Sequence, residues 1–552
     1  MKNLIFFFCL LQSLHGFGQI KETQAIDSIF SELNKPNVPG CALGIIKDGN
    51  LIYTKGYGMA DLEHQIPNSI NTLFDIGSNA KQFTAACIVL LVQKGKLNLD
   101  NKLSDFFPEF PSYANKITIR HLLNHTSGIR DYLTLQFLKS PGENKSYTDS
   151  EIMELLVNQK ELNFQPGDKN LYSNSGYWLL GQIVNKITGM DLAAFAKKEI
   201  FEPLGMNSTD FQRNYSQIAK KMAYGYAPNG SGGFTISMPT NNEIGAGGIF
   251  TSIEDLKKWD EAFYQSKILN EDFWSIMLNK CVLNSGDTLG YACGLTISNY
   301  KGLNTKSHGG EIAGYHSEMM CFPDQRVTII LLANRLDVDP TGMCYKVADV
   351  LLKDQFKVQK NTSQNSELTR KDLESKYSLE QMSGTYAIQN GVNLQINRQD
   401  DSLHVNQTWN NISYKIGRTI GNTFQNPGFP NITFSFTNLQ NGHSNLLLIY
   451  QEGRNHEWKR IEDRQLVQIK PEEYVGKYYC KELDVIYELT VMNDKLYALA
   501  GKMGPVELSA VDSDQFSYQG FAKVRFKRND KLISGFELDM DRVLNLKFEK
   551  MK

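Results

Sequence analysis

The sequence has little of what marks the common binding classes. Its 552 residues carry 58 Lys and Arg against 60 Asp and Glu, a net charge of −2, with no block of one sign. The electrostatic footprint by which nucleic acids and anionic membranes are bound is therefore missing. Beyond the N-terminal segment no run of 18 apolar residues occurs, so no transmembrane helix is expected. There is no C-x-x-C pair and no Cys/His cluster with zinc spacing. Neither G-x-x-x-x-G-K-[ST] nor H-E-x-x-H is present, so neither phosphate-cradling nor metal-assisted chemistry is expected, and no cofactor is. Cysteines number 8. Cys41, Cys87, Cys281, Cys293, Cys321, Cys344 and Cys480 lie beyond the N-terminal segment, an odd and scattered set. They read as buried thiols acting as small apolar residues, with a Cys281–Cys293 bridge left open.

What is present begins with an export signal. Lys2 supplies a positive n-region, residues 4–14 are mostly apolar, and Gly16 and Gly18 precede Gln19. Such a run is too short for a spanning helix. We expect a cleavable signal peptide over residues 1–18 and a periplasmic or secreted product.

At roughly 100–200 residues per domain the chain holds two to four domains. Residues 20–356 form the first. An apolar run at 41–47, the turn Asp48-Gly49-Asn50 and a second run at 51–58 predict a hairpin. Phe83, Ala86, Cys87, Leu90 and Leu91 recur at helical spacing after Ser78. Residues 317–322 and 326–334 predict a second strand pair near the end of this region. Strands at both ends with helices between them predict an α+β domain whose antiparallel sheet is closed by its two termini. A polar linker follows at 357–375.

Beyond the linker the segments are short and alternating. Gly384-Thr385-Tyr386 returns as Gly476-Lys477-Tyr478, Asp401 as Asp494, and Phe434 as Phe526, at offsets of 92, 93 and 92 residues. The agreement predicts two small antiparallel β-barrels, at 376–464 and 468–552. One larger β-domain is the alternative.

Three short motifs carry chemistry. Ser78-Asn79-Ala80-Lys81 puts a Lys one helical turn after a Ser. At a helix start the serine N–H is unpaired and can stabilise an oxyanion. Lys81 can take the Ser78 proton only if it is desolvated or beside another cation. Tyr172-Ser173-Asn174 offers a phenol for proton transfer, its pKa lowered by neighbouring cations, and an amide for a substrate. His308-Gly309-Gly310 gives a strand edge that a substrate can approach closely. The Glu311 N–H would be the second oxyanion donor. Each motif alone has a plainer reading: an N-cap Ser with a surface Lys, a packed loop Tyr, a Gly-rich turn.

Together and in this order, the motifs resemble the serine β-lactamase and penicillin-binding-protein superfamily. The branch resembled has Tyr-x-Asn as its second motif: class C β-lactamases, D-alanyl-D-alanine carboxypeptidases of the same type, D-aminopeptidases and family VIII esterases. The run His121-Leu122-Leu123-Asn124-His125-Thr126-Ser127-Gly128 resembles its LLxHTSG segment, and Gly245 to Ser252 its glycine-rich one. The resemblance implies that Ser78 is acylated, that Lys81 and Tyr172 manage its proton, and that Asn174, His308, Gly309 and Gly310 bind substrate. It implies an exported serine hydrolase acting on a small-molecule or peptide substrate: a D-amino-acid peptide, an ester or a β-lactam-like compound. A non-catalytic sensor of cell-wall fragments is the alternative. His308 stands where class C enzymes carry a Lys, which weakens the case for carboxylate-bearing substrates. His125 and Ser127 are read as structural, and Arg130 is not assigned to the cleft. By the same resemblance the barrels are lipocalin-like and frame the site or mediate assembly. Oligomeric state is not legible.

Overall fold

A computed structural model describes residues 21–552, except 144, 213–220, 241–242, 357–376, 389–392, 408–411, 427–428, 452–453, 462–468 and 519–521. The expected signal peptide and the linker at 357–375 lie outside the described residues.

The first region is built on one antiparallel sheet. Its strands are β1 (Cys41–Lys47), β2 (Asn50–Tyr57), β3 (Thr296–Tyr300), β4 (Leu303–Ile312), β5 (Tyr315–Phe322) and β6 (Val327–Ala333). The order across the sheet is β3-β4-β5-β6-β1-β2. The two ends of the domain meet at its centre, with Cys41 opposite Ala333 and Lys47 opposite Val327. Both central strands are almost continuously apolar because both of their faces are covered. Leu43, Ile45, Ile329 and Leu331 pack with Ile26, Phe30, Cys344 and Val347 of the two terminal helices. Ala42, Ile46, Ile330 and Leu332 face the larger helical core. Alternation along a strand sends neighbours to opposite faces.

The helix Lys81–Gln93 runs through that larger core, and every residue from Lys81 to Leu91 is buried. The sequence pattern suggested one apolar face. The helix is instead surrounded, with Gln82 and Thr84 buried alongside its apolar residues. Its one charged residue is taken into the core with it.

The tail forms two closed eight-stranded antiparallel barrels, with strands between residues 384 and 461 and between 476 and 550. The repeated Gly-x-Tyr has a structural cause. Gly384 and Gly476 take φ of +147° and +146°, values open to glycine. Two residues on, Tyr386 donates to Met382 O at 2.9 Å and Tyr478 to Tyr474 O at 2.7 Å. Each tyrosine is buried, so its hydroxyl needs this partner. All seven described cysteines are free and buried, Cys281 and Cys293 included.

The second barrel shares a core with the catalytic region. Phe137, Leu138 and Pro141, on and just after the helix Tyr132–Lys139, close its mouth and leave an apolar cavity of about 60 Å³. Ligand pockets run to about 300–1,000 Å³, so this space serves packing. Arg130 makes the deepest polar link. Its buried guanidinium donates to Leu544 O at 2.9 Å, Asn545 O at 3.0 Å, Gln159 Oε1 at 2.9 Å and Glu482 Oε2 at 2.8 Å. The residue not assigned to the cleft thus helps to fasten the barrel.

Candidate active site

Ser78 lies in the tight turn Gly77–Ala80 that leads into the helix beginning at Lys81. Gly77 is required there. Its φ is +51°, and a Cβ on it would lie 2.7 Å from the Glu311 backbone nitrogen. That closeness places the Glu311 N–H beside the Ser78 turn. Gly310 answers a similar demand, since a Cβ there would come within 1.8 Å of Ile76 O. His308, Gly309 and Gly310 belong to the ten-residue strand β4 rather than to a turn. The glycines let this strand lie directly against the nucleophile segment.

Lys81 Nζ stands 3.0 Å from Ser78 Oγ, 2.9 Å from Asn174 Oδ1 and 2.6 Å from Ala246 O. Burial pushes the Lys81 amine well below the usual lysine range, and the positive charge of Arg542 adds to this against the pull of Asp131. A neutral amine has two N–H donors and one lone pair. The two carbonyl oxygens can only accept, so they take both hydrogens. The lone pair is left facing the Ser78 hydroxyl. This is the desolvated lysine that the sequence motif requires.

Asn174 opens the helix Asn174–Thr188, and its N–H donates to Asp131 Oδ2 at 2.6 Å. Tyr172 lies beside the pair, with its ring centroid 4.8 Å from Lys81 Nζ. The expectation that cations would lower its pKa fails. Burial raises the Tyr172 hydroxyl above its usual value, outweighing the opposite effects of Ser78 and Arg542. Tyr172 is a protonated phenol at rest.

His308 stands at the end of a chain of hydrogen bonds. The Ser173 N–H donates to His125 Nδ1 at 3.1 Å, so His125 carries its proton on Nε2. That nitrogen lies 3.1 Å from the Tyr291 hydroxyl, which is 3.2 Å from His308 Nε2. His308 Nδ1 lies 2.5 Å from Gly309 O and must donate to it. Every proton in the chain is then placed, with both imidazoles neutral. Burial and Lys81 push His308 down to about 4. The His125 ring also lies against Tyr172, with centroids 4.1 Å apart and planes tilted by 32°. His125 is thus a positioning residue.

A consequence for stability follows. From about pH 6.5 down to about 4 the unfolded chain protonates His308 and the folded one does not. Stability is full above this window and falls as pH drops through it. His125 is shifted in the same direction, so His308→Gln should remove part of the slope. Urea midpoints at pH 7.5 and pH 4.5 measure it, and an equal slope in both proteins would contradict the neutral state.

The structure therefore brings together Ser78, Lys81, Tyr172, Asn174, His308, Gly309, Gly310 and the Glu311 N–H. Sequence reasoning missed Asp131, Tyr291, Arg542 and the Ala246 carbonyl. Ala246 falls in the glycine-rich segment singled out above; the other three carry no local signal. Among the described residues, no group of three or more His, Cys, Asp or Glu side chains is placed to hold a metal ion.

A helix-opening serine, a buried lysine and a tyrosine on one cleft define a serine hydrolase of the S-x-x-K class. Residues 26–351 match the family described as Beta-lactamase, and the chain belongs to that family. It is 30% identical over 399 residues to a penicillin-binding protein of Bacillus subtilis, covering 69% of this chain and 86% of that one. The D-amino acid amidase of Ochrobactrum anthropi is similar in structure, at 26% identity and a TM-score of 0.50, over 60% of this chain and 98% of that one. The octameric penicillin-binding protein homologue of Pyrococcus abyssi shares the fold at a TM-score of 0.54 and 22% identity, over 87% of this chain and 97% of that one.

Proposed function

We propose that the protein is an exported hydrolase that cleaves an amide bond beside a D-amino acid through an acyl-enzyme on Ser78. The observation that carries the reading is the buried Lys81 amine, 3.0 Å from the Ser78 hydroxyl and pushed by burial well below the usual lysine range. The likeness to a D-amino acid amidase supports the substrate class, and the N-terminal Lys2 with its apolar run supports export. Ser78 Oγ gives its proton to Lys81 Nζ and bonds to the carbonyl carbon. The resulting oxyanion takes the N–H groups of Ser78 and Glu311. Tyr172 donates its proton to the leaving nitrogen, the C–N bond breaks, and the Lys81 ammonium returns a proton to Tyr172. Water then attacks the acyl carbon, loses its proton to Lys81, and Ser78 leaves with a proton restored.

A fluorophosphonate probe is expected to label the wild type and not Ser78→Ala. Equal labelling would overturn the assignment of the nucleophile. Rates on D-alanyl p-nitroanilide, p-nitrophenyl esters and nitrocefin then test the substrate class. An ester rate well above the D-alanyl amide rate would reject it.

A further inference from the structure

One charged side chain reaches the site from another domain and exchanges no proton in the mechanism above. Arg542 sits at the tip of the hairpin formed by Leu532–Met540 and Val543–Lys550 in the second barrel. The tip is fixed to the catalytic domain. Asn163 Nδ2 donates to Arg542 O at 2.9 Å, the Leu544 N–H to Asn163 Oδ1 at 2.8 Å, and Thr134 Oγ1 to Asp541 Oδ2 at 3.0 Å.

The Arg542 guanidinium is thereby held over the Tyr172 ring, 4.9 Å from its centroid, within cation–π range. Its carboxylate neighbours, Asp131 and Asp541, stand at 3.9 and 3.8 Å, beyond hydrogen-bond reach. Asp131 is already occupied, because it accepts from the main chain of Leu133, Thr134 and Asn174. Among the described residues the guanidinium donates a hydrogen bond to none, and the side chain is 33% exposed. A fork of five N–H donors is therefore fixed beside the catalytic tyrosine with its donors unengaged.

The cleft offers little else to an anion. His308 is neutral, Lys81 is turned to its two carbonyls, and Lys306 of β4 is buried with its Nζ over the Phe263 ring. A guanidinium pairs with a carboxylate through two parallel hydrogen bonds and keeps its charge at any working pH.

We propose that Arg542 anchors a carboxylate on the substrate, so that the second barrel selects amides with a free carboxylate near the scissile bond, as at a peptide C-terminus. The inference rests on the reading of Ser78 as nucleophile. It reverses what His308 alone suggested: the cation that β4 lacks is supplied by a different domain, from the side of Tyr172.

The test compares N-acetyl-D-Ala-D-Ala with its C-terminal amide, two ligands that differ only in the terminal charge. Each is titrated as a competitor that slows fluorophosphonate labelling of Ser78 in the full-length protein. The acid is expected to protect at a concentration at least about tenfold below that of the amide. Arg542→Ala should bring the ratio close to one, and Arg542→Lys should keep part of it. A ratio of two concentrations does not move if the variant merely weakens the fold. An unchanged ratio in Arg542→Ala, or no preference in the wild type, overturns the anchor while labelling of Ser78 still stands. Failure of the wild type to label overturns the nucleophile and the anchor together.

Discussion

Lys81→Met is expected to lower the acylation rate by between about 10² and 10⁴, the usual worth of a positioned general base. Methionine keeps the volume of the side chain in a core that has no room to spare, so the loss reports chemistry rather than a cavity. Lys81→Arg should be nearly as damaging, because a guanidinium stays protonated and has no lone pair to offer Ser78. The pH profile separates this from a packing defect. In the wild type, activity should rise with pH as the Lys81 ammonium loses its proton, at a pH well below the ordinary lysine range. That limb should vanish from whatever activity Lys81→Met retains. A Lys81→Met rate within threefold of wild type would show that Lys81 is not the base.

Arg130→Ala should cost about 3–5 kcal/mol of stability, the range for breaking a buried ion pair from one side. The Arg130 side chain is fully buried and Glu482 nearly so. Truncation leaves the Glu482 carboxylate without its cation, although the Lys160 N–H at 2.7 Å remains. It also strands the carbonyls of Leu544 and Asn545, which then lack a donor inside the interface. Replacing both partners, Arg130→Met with Glu482→Leu, should recover the part of the loss due to the unpaired carboxylate, and leave the part due to the stranded carbonyls. Chemical denaturation of the full chain measures both variants. A loss below about 1 kcal/mol in Arg130→Ala would mean that the pair is solvated and does not fasten the barrel. Leu544 and Asn545 lie two and three residues after Arg542, so the same variant should also loosen the anchor at the cleft.

Local signals made part of this molecule readable. The apolar runs at both ends of the first region marked its terminal strand pairs, and the Gly-x-Tyr repeat marked two like barrels. Ser78, Lys81, Tyr172 and Asn174 were found because their spacing follows from how one helix begins and how another does. The state of each group was less readable. Burial, a property of the assembled core, decided that Tyr172 is raised rather than lowered. It also pushed His308 down to about 4, with Lys81, 227 residues away, adding to the effect.

The sequence by itself determined the serine, its lysine, the order of the motifs and the division into a catalytic region and β-rich repeats. These depend on chain-local geometry: helical periodicity, turn chemistry and glycine at forced backbone angles. Only the tertiary structure decided which charges the cleft retains. It enclosed Lys81 in the core and turned both its hydrogens to carbonyls, and it carried Arg542 from the second barrel to the face of Tyr172. Those two residues are separated by 461 positions and Tyr172 from Arg542 by 370. No periodicity or motif spans such distances; the packing of one domain on another does.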